Sequence, residues 1–532
     1  MGQANSTIKF QDTGYFSKIM CDYLDQKETV KAFYHNYPNL QGFKDQIREK
    51  SNSFSNTSRQ VLHKSLLRQS KNLDLSDLSR KHIESLKESD TFTVTTGHQL
   101  NLFTGPLYFL YKIVSAINLA RELKQRFPDK NFVPVYWMAT EDHDFEEICF
   151  FNYNGKKVRW NKEVKGAVGR VSTQGLDQVF QEFETLLGSS TNATRLKKLF
   201  TSAYLEHDSL TEATRFLANE LFGAHGLVIV DGDDKELKKL FVPYVNEELR
   251  HQTCFKKVMQ TNETLAKEYA IQVNPREINL FYLDNEIRER ILFEDGNFKI
   301  NNTDLTFSED EFFDILEHSP EKFSPNVLMR PLFQEVILPN LCYIGGGGEM
   351  AYWMQLKNYF TELKVPFPIL LLRNSVLLID SKQQKKLDAL AIDDSAIFLN
   401  QLDLIESKVK SLSDLKIDFS DQRKQLYRMF EEFKLLSDKT DKSFSGAVQA
   451  QEKKQLNGLD KLEKRLLKAQ KRKYNEILNR IKVLQDDLFP NQSLQERQEN
   501  FSKFYEIYGD ALIPLLIDTL RPLKLEFDII RP

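Results

Sequence analysis

Three carboxylates and an imidazole stand together in Glu141, Asp142, His143 and Asp144. Like charges held this close shift one another's pKa or draw cations to them, and carboxylate and imidazole are groups that move protons or orient a nucleophile. In an extended backbone Glu141 and His143 point one way and Asp142 and Asp144 the other, so the four do not act as one group. Asp142 and His143 are taken as the catalytic pair and Glu141 as a binding group. Carboxylates and histidine also suit a divalent metal, but this spacing is a weak signal for one, and no metal ligands are assigned. A solvated acidic turn has the same composition; the position of this run at the end of an apolar stretch argues against it.

A second polar group lies upstream in Gly97-His98-Gln99-Leu100-Asn101-Leu102-Phe103-Thr104-Gly105-Pro106. Read as a strand-to-helix turn, it offers unpaired backbone N–H groups, which bind phosphate or carboxylate. Gly97, Gln99, Asn101, Thr104 and Gly105 are its candidate binding residues. A third group, Gly345, Gly346, Gly347 and Gly348 followed by Glu349, matches neither GxxxxGK[ST] nor GxGxxG. Four glycines in succession are tolerated where backbone must approach a ligand or another backbone closely. Arg330 and Arg373, with Asn374 beside the latter, are candidate clamps for carboxylate or phosphate.

These groups need elements to hold them. Phe92 to Thr96 is short and β-branched, and predicts a strand. Leu107 to Lys124 carries apolar residues at helical spacing, with Arg121 and Lys124 near its end. Phe132 to Met138 predicts a second strand running straight into Glu141-Asp142-His143-Asp144, so the two motifs meet at the carboxyl edge of a parallel sheet, where such sheets bind ligands. Further core strands are expected at 226–231, 326–330, 341–344, 369–372 and 376–379. Asn154-Gly155 marks a hairpin, and residues 276–300 read as a small antiparallel meander.

The expected division is a helical cover at 1–90, core at 91–147, an insertion at 148–222, core at 223–271, a second insertion at 272–322 and core at 323–383. A coiled-coil hairpin at 384–490 and a docking tail at 491–532 complete it. In the hairpin, Leu426, Phe430, Phe433 and Leu436, and later Tyr474, Ile477, Ile481, Leu484 and Leu488, recur every three or four residues. Asp438 to Gly446 is the expected tip. Arms of about 45 residues would reach roughly 65 Å, and one thin apolar seam calls for cover from the core or a second copy.

The 532 residues carry a net charge of -3 and 41% apolar residues, which fits a soluble multidomain protein and gives no general case for nucleic acid. Four scattered cysteines without a CxxC pair fit a reducing cytoplasm and offer no zinc spacing. No apolar run is long enough to span a bilayer. MGQANS matches the N-myristoylation pattern, a match short enough to arise by chance.

The stretches TGHQLNLFTGPLYFLYK, VPVYWMATEDHDFEEI and RPLFQEVILPNLCYIGGGGEMAYWMQLK resemble, in this order, the BshC family, the cysteine ligases of bacillithiol biosynthesis. The resemblance extends over essentially the whole chain. It implies an α/β fold: a Rossmann-like nucleotidyl-transferase core related to class I aminoacyl-tRNA synthetases, two inserted subdomains and a C-terminal antiparallel coiled coil used in a homodimer. The implied reaction joins cysteine to the glucosamine amine of glucosaminyl-malate, with ATP and magnesium as cosubstrate and no tightly bound cofactor. His98 stands where the synthetase signature histidine falls and is added to the catalytic set; no second signature loop is found. Arg330 and Arg373 are expected to hold the malate carboxylates. Two readings compete: a nucleotide-binding scaffold recruiting a partner through its coiled coil, and a synthetase-like RNA-related ligase.

Overall fold

The computed structural model describes residues 5–440 and 442–532, so the first four residues of the myristoylation match lie outside the described residues. The core is a sheet of five parallel strands, β1 (Thr91–His98), β2 (Asn131–Met138), β3 (Val228–Asp231), β4 (Asn340–Gly345) and β5 (Ile369–Leu372). Their spatial order is β3-β2-β1-β4-β5. The order runs outward from β1 on both sides, which puts the topological switch between β1 and β4, the place where open α/β sheets bind ligands.

Every residue of β1 is buried, which is why its sequence is β-branched rather than alternating. His98 is level with Met138, Met138 with Asp231, and Gly345 with Leu372, so these strands end along one edge. Helix α1 (Tyr108–Arg126) joins β1 to β2 and is buried from Phe109 to Ala120. Its Asn118 donates to the carbonyls of Ile517 and Leu520 at 2.9 and 2.8 Å, tying the C-terminal segment to the core. Helix α2 (Gly347–Met354) leaves β4.

The hairpin Phe150–Tyr153 and Lys156–Arg159 turns at Asn154 and Gly155, both left-handed at φ 49° and 76°, as a tight two-residue turn requires. A five-stranded antiparallel sheet holds, in spatial order, Thr306–Ser308, Asn297–Ile300, Ile287–Glu294, Leu280–Asp284 and Phe323–Pro325.

Five expectations need correction. Val376–Leu378 leaves the parallel sheet and pairs with Glu526–Ile530, which also pairs with Ser6–Lys9. The N-terminal segment therefore opens with a strand, and a four-residue strand whose partner lies at the far end of the chain leaves no local signature. Asn326 to Arg330 is a turn leading into the helix Arg330–Ile337. The four glycines form no loop, because Gly345 ends β4 and Gly347 already begins α2. The hairpin tip also narrows, since helix resumes at Lys442; Asp441 lies outside the described residues.

In the arm, Ser420–Ser437 packs against the 32-residue helix Lys442–Lys473. Phe430 and Val448 are buried there, while Phe433, Leu435, Leu436, Phe444 and Leu462 remain exposed. Among the described residues no helix is long and apolar enough to cross a membrane. All four cysteines are free.

Candidate active-site cleft

A cleft of about 950 Å³ opens at the carboxyl edge of the sheet, across the switch between β1 and β4. Of the residues singled out in the sequence, Gly97, His98, Gln99, Glu141, Asp142, His143, Arg330, Gly346, Gly347, Gly348, Glu349 and Arg373 line it. Asn101, Thr104, Gly105, Gly345 and Asn374 are not in its wall. Asn101 donates to the Glu147 carbonyl at 3.2 Å. Asn374 is buried beneath the site, hydrogen-bonded to Ser115 and Asp528.

Thr104 and Gly105 shape the turn rather than the wall. Phe103, Thr104 and Gly105 are left-handed in succession, at φ 47°, 69° and 62°. That conformation is costly for an aromatic and a β-branched residue, and persists only where the surroundings over-determine it. Here they do. The Phe103 N–H donates to the Tyr204 hydroxyl at 2.8 Å, and Asn500 donates to the carbonyls of Phe103 and Gly105 at 2.8 and 2.5 Å. A Cβ at Gly105 would stand 2.5 Å from that of Asn101, so only glycine fits.

His98 is buried, its ring against Tyr108 and Phe109, and Nε2–H donates to the Thr104 carbonyl at 3.3 Å. Burial, helped by nearby Lys112, pulls its pKa down to about 3, so the ring is neutral at physiological pH. It braces the turn.

Lys112, inside the buried stretch of α1, donates to the Gly97 carbonyl at 2.7 Å and pairs with Glu349 at 2.6 Å. Glu349 also accepts from the Tyr343 hydroxyl at 2.7 Å and from the Gly346 N–H at 2.9 Å. Burial raises the Glu349 carboxyl, but Lys112 and these bonds outweigh it and hold the pKa below the ordinary value. The cluster locks the end of β1 to the start of α2. Glu141 is likewise committed, paired at 2.6 Å with Lys238, which also reaches Asp233 at 3.1 Å. Burial raises the Glu141 carboxyl.

Asp142 accepts from Gln99 Nε2 at 3.0 Å and from the His143 N–H at 2.7 Å. Burial pushes its pKa up; Gln99, Arg288 and the backbone N–H groups outweigh that, and the group stays an anion. Arg373 is 4% exposed; its Nη2 pairs with Glu496 at 2.7 Å, while its Nε has no partner. Arg330 lies among Trp137, Tyr343 and Trp353, and its Nη2 has no partner. Both guanidiniums line the cleft beside Gly346, Gly347 and Gly348 at the α2 N-terminus.

Several lining residues escaped the sequence reading. Lys112, a lone lysine in an apolar helix, was a readable signal. Arg276, Arg288 and Arg290 sit in or beside the inserted sheet, and Arg497 follows the arm; nothing local ties them to the core.

Two family models together match nearly the whole chain: the Bacillithiol biosynthesis BshC N-terminal Rossmann-like domain over residues 4–374, and the BshC C-terminal coiled-coil domain over 376–532. The chain belongs to the BshC family. The boundary between the two models falls where Val376 leaves the parallel sheet for the strand at the C-terminus. A relative from Flavobacterium johnsoniae, named "Putative cysteine ligase BshC", is 55% identical over 98% of this chain and 99% of its own. One of the same name from Bacillus cereus is 28% identical over 92% of this chain and 94% of its own. A structure titled "putative arginyl t-RNA synthetase" from Campylobacter jejuni covers 83% of this BshC chain and 96% of its own, at 12% identity and a TM-score of 0.21. The strand order, not that superposition, carries the Rossmann-like fold.

Proposed function

We propose that the protein is a cysteine ligase of bacillithiol biosynthesis that forms an amide between the cysteine carboxyl and the glucosamine amine of glucosaminyl-malate, in the cleft between β1 and β4. Family membership supports the ligase class. The observation that carries the site is the charge of the cleft. A chain of net charge -3 gathers Arg276, Arg288, Arg290, Arg330, Arg373 and Arg497 around one cavity, while two of its carboxylates, Glu141 and Glu349, are held by lysines. Such a cavity suits a nucleotide triphosphate, an amino-acid carboxylate and a malate group together.

An amide from a free carboxylate is uphill in water, so the carboxyl needs activation, and ATP is the proposed cosubstrate. A cysteine carboxylate oxygen attacks the α-phosphorus and pyrophosphate leaves; the amine then attacks the acyl carbon, and AMP and a proton leave. The α2 N-terminus, with Arg330 Nη2 and Arg373 Nε unpartnered beside it, cradles the phosphate or the carboxylate being activated. Arg276, Arg290 and Arg497 make no side-chain hydrogen bond or ion pair among the described residues and are the better candidates for the malate carboxylates. Asp142, held anionic, orients the incoming amine. Among the described residues no group of three His, Cys, Asp or Glu converges on a metal position, so magnesium would arrive on the nucleotide phosphates. A second copy of the chain would cover the exposed seam of the arm, giving a homodimer.

The test is ligation by the purified protein with cysteine, glucosaminyl-malate, ATP and magnesium, followed by mass spectrometry. Appearance of the cysteinyl amide supports the reading. Folded protein that binds nucleotide and yields no amide would overturn it.

A further inference from the structure

We infer that Arg288 of the inserted antiparallel sheet is a positioning residue that fixes His143 in its Nε2–H form, making it a neutral hydrogen-bond donor to the reacting acyl or phosphoryl oxygen instead of a base. The identity of that recipient rests on the ligase reading; the tautomer does not.

Arg288 is anchored on three sides within the insert. Its Nε donates to Ser324 Oγ at 3.2 Å, its Nη2 to the Pro325 carbonyl at 3.3 Å, and its guanidinium lies 4.1 Å over the Phe281 ring. The remaining arm, Nη1, reaches His143 Nδ1. A guanidinium donates and never accepts. The Nδ1 atom must therefore offer its lone pair, and the single ring proton of neutral His143 sits on Nε2. The ring also packs on Phe281, with centroids 5.4 Å apart, so one aromatic side chain contacts both partners.

This inverts the usual carboxylate–histidine arrangement, in which a carboxylate holds the Nδ1–H and leaves Nε2 free to take a proton. Asp142 is in the right place in sequence, but its Oδ1 lies 3.8 Å from His143 Nδ1 and accepts from the His143 backbone N–H instead. The charged groups facing the ring are Asp142 and Asp144 on its own turn, and Arg288 and Glu289 on the insert. The carboxylates favour protonation; burial and then Arg288 outweigh them, and the ring is held below its ordinary pKa. Half of the side chain is exposed where it lines the cleft, which leaves it accessible to a substrate.

Histidine-labelled protein, read by long-range 1H–15N correlation without substrate, tests the assignment. The His143 resonances, identified by their loss in His143→Gln, should show a protonated Nε2 and a bare Nδ1. In Arg288→Met they should become a mixture of tautomers that titrates closer to the ordinary range. Ser324→Ala, which removes one anchor, serves if Arg288→Met does not fold. Turnover adds an independent reading: glutamine keeps an N–H donor near the Nε2 position but takes up no proton, so His143→Gln should stay within about tenfold of the parent while His143→Ala loses about a hundredfold. A protonated Nδ1 in the parent protein, an unchanged tautomer in both insert variants, or equal loss in the two His143 variants would overturn the proposal. Correct tautomers in a protein that makes no amide would sink the ligase reading and leave the Arg288 assignment standing.

Discussion

Glu496, in the C-terminal segment, accepts a 2.7 Å hydrogen bond from Nη2 of Arg373, at the end of β5, and both side chains are almost completely buried. The same glutamate accepts from the Val376 N–H at 3.0 Å through its other oxygen. The part of the chain that carries the coiled coil thus holds a cleft arginine in place, and the arm and core are one machine at this point.

Removing that carboxylate strands a buried guanidinium. Glu496→Ala should cost roughly 3–5 kcal/mol of stability and lower the midpoint in urea. Glu496→Gln, which keeps one acceptor oxygen and turns an NH2 toward the other donor, should cost less than the alanine variant. A loss below about 1 kcal/mol for the alanine variant would mean that water replaces the carboxylate.

The strained turn makes a prediction of its own. Asn500 bonds two of its carbonyls, and Asn500→Ala should release Phe103 and Thr104 from their left-handed conformations at a cost of about 1–3 kcal/mol. Activity should fall by more than the loss of folded protein explains. Thermal unfolding and ligation rate measured on one preparation separate the two effects, and unchanged activity would show that the turn does not shape the site.

His98 gives a pH signature. Its pKa falls from the ordinary 6.5 to about 3 in the folded protein, so below pH 6.5 the unfolded chain takes up a proton that the folded chain refuses. The neutral ring's stabilisation is complete above pH 6.5 and is lost as pH falls toward 3, amounting to roughly 2 kcal/mol between pH 6.5 and 5. Denaturant unfolding at the two pH values should show a shallower decline in His98→Gln than in the parent; equal slopes would remove His98 as the cause.

At the rim, Arg497→Gln should raise KM for the malate-bearing substrate about tenfold and leave kcat and stability nearly unchanged, since the side chain is exposed and unpaired. Raising the salt concentration should shrink the difference between the two proteins. An effect on kcat alone would place Arg497 nearer the reacting atoms.

How much of this was legible in the sequence follows from the range of the interactions. β1, α1 and β2 could be read because local periodicity and chain order decide a βαβ unit. The meeting of Gly97-His98-Gln99 with Asp142 followed from their shared sheet edge. The roles within that edge did not: that His98 would be sealed in, or Glu141 committed to Lys238, depends on partners placed by the fold. Arg288 and Arg497 reach the cleft from segments far along the chain, and no spacing rule links them to β1. The strand Ser6–Lys9 is hidden for the same reason, since the strand it pairs with lies at the other end of the chain.

The most direct test of the account follows the oxygen atoms. Cysteine labelled with 18O in both carboxyl oxygens is supplied with glucosaminyl-malate, ATP and magnesium, and the products are weighed. The account predicts the cysteinyl amide together with AMP carrying one 18O, because the carboxylate oxygen that attacks the α-phosphorus leaves with it. Amide accompanied by ADP and labelled phosphate, or no amide from folded protein, would contradict it.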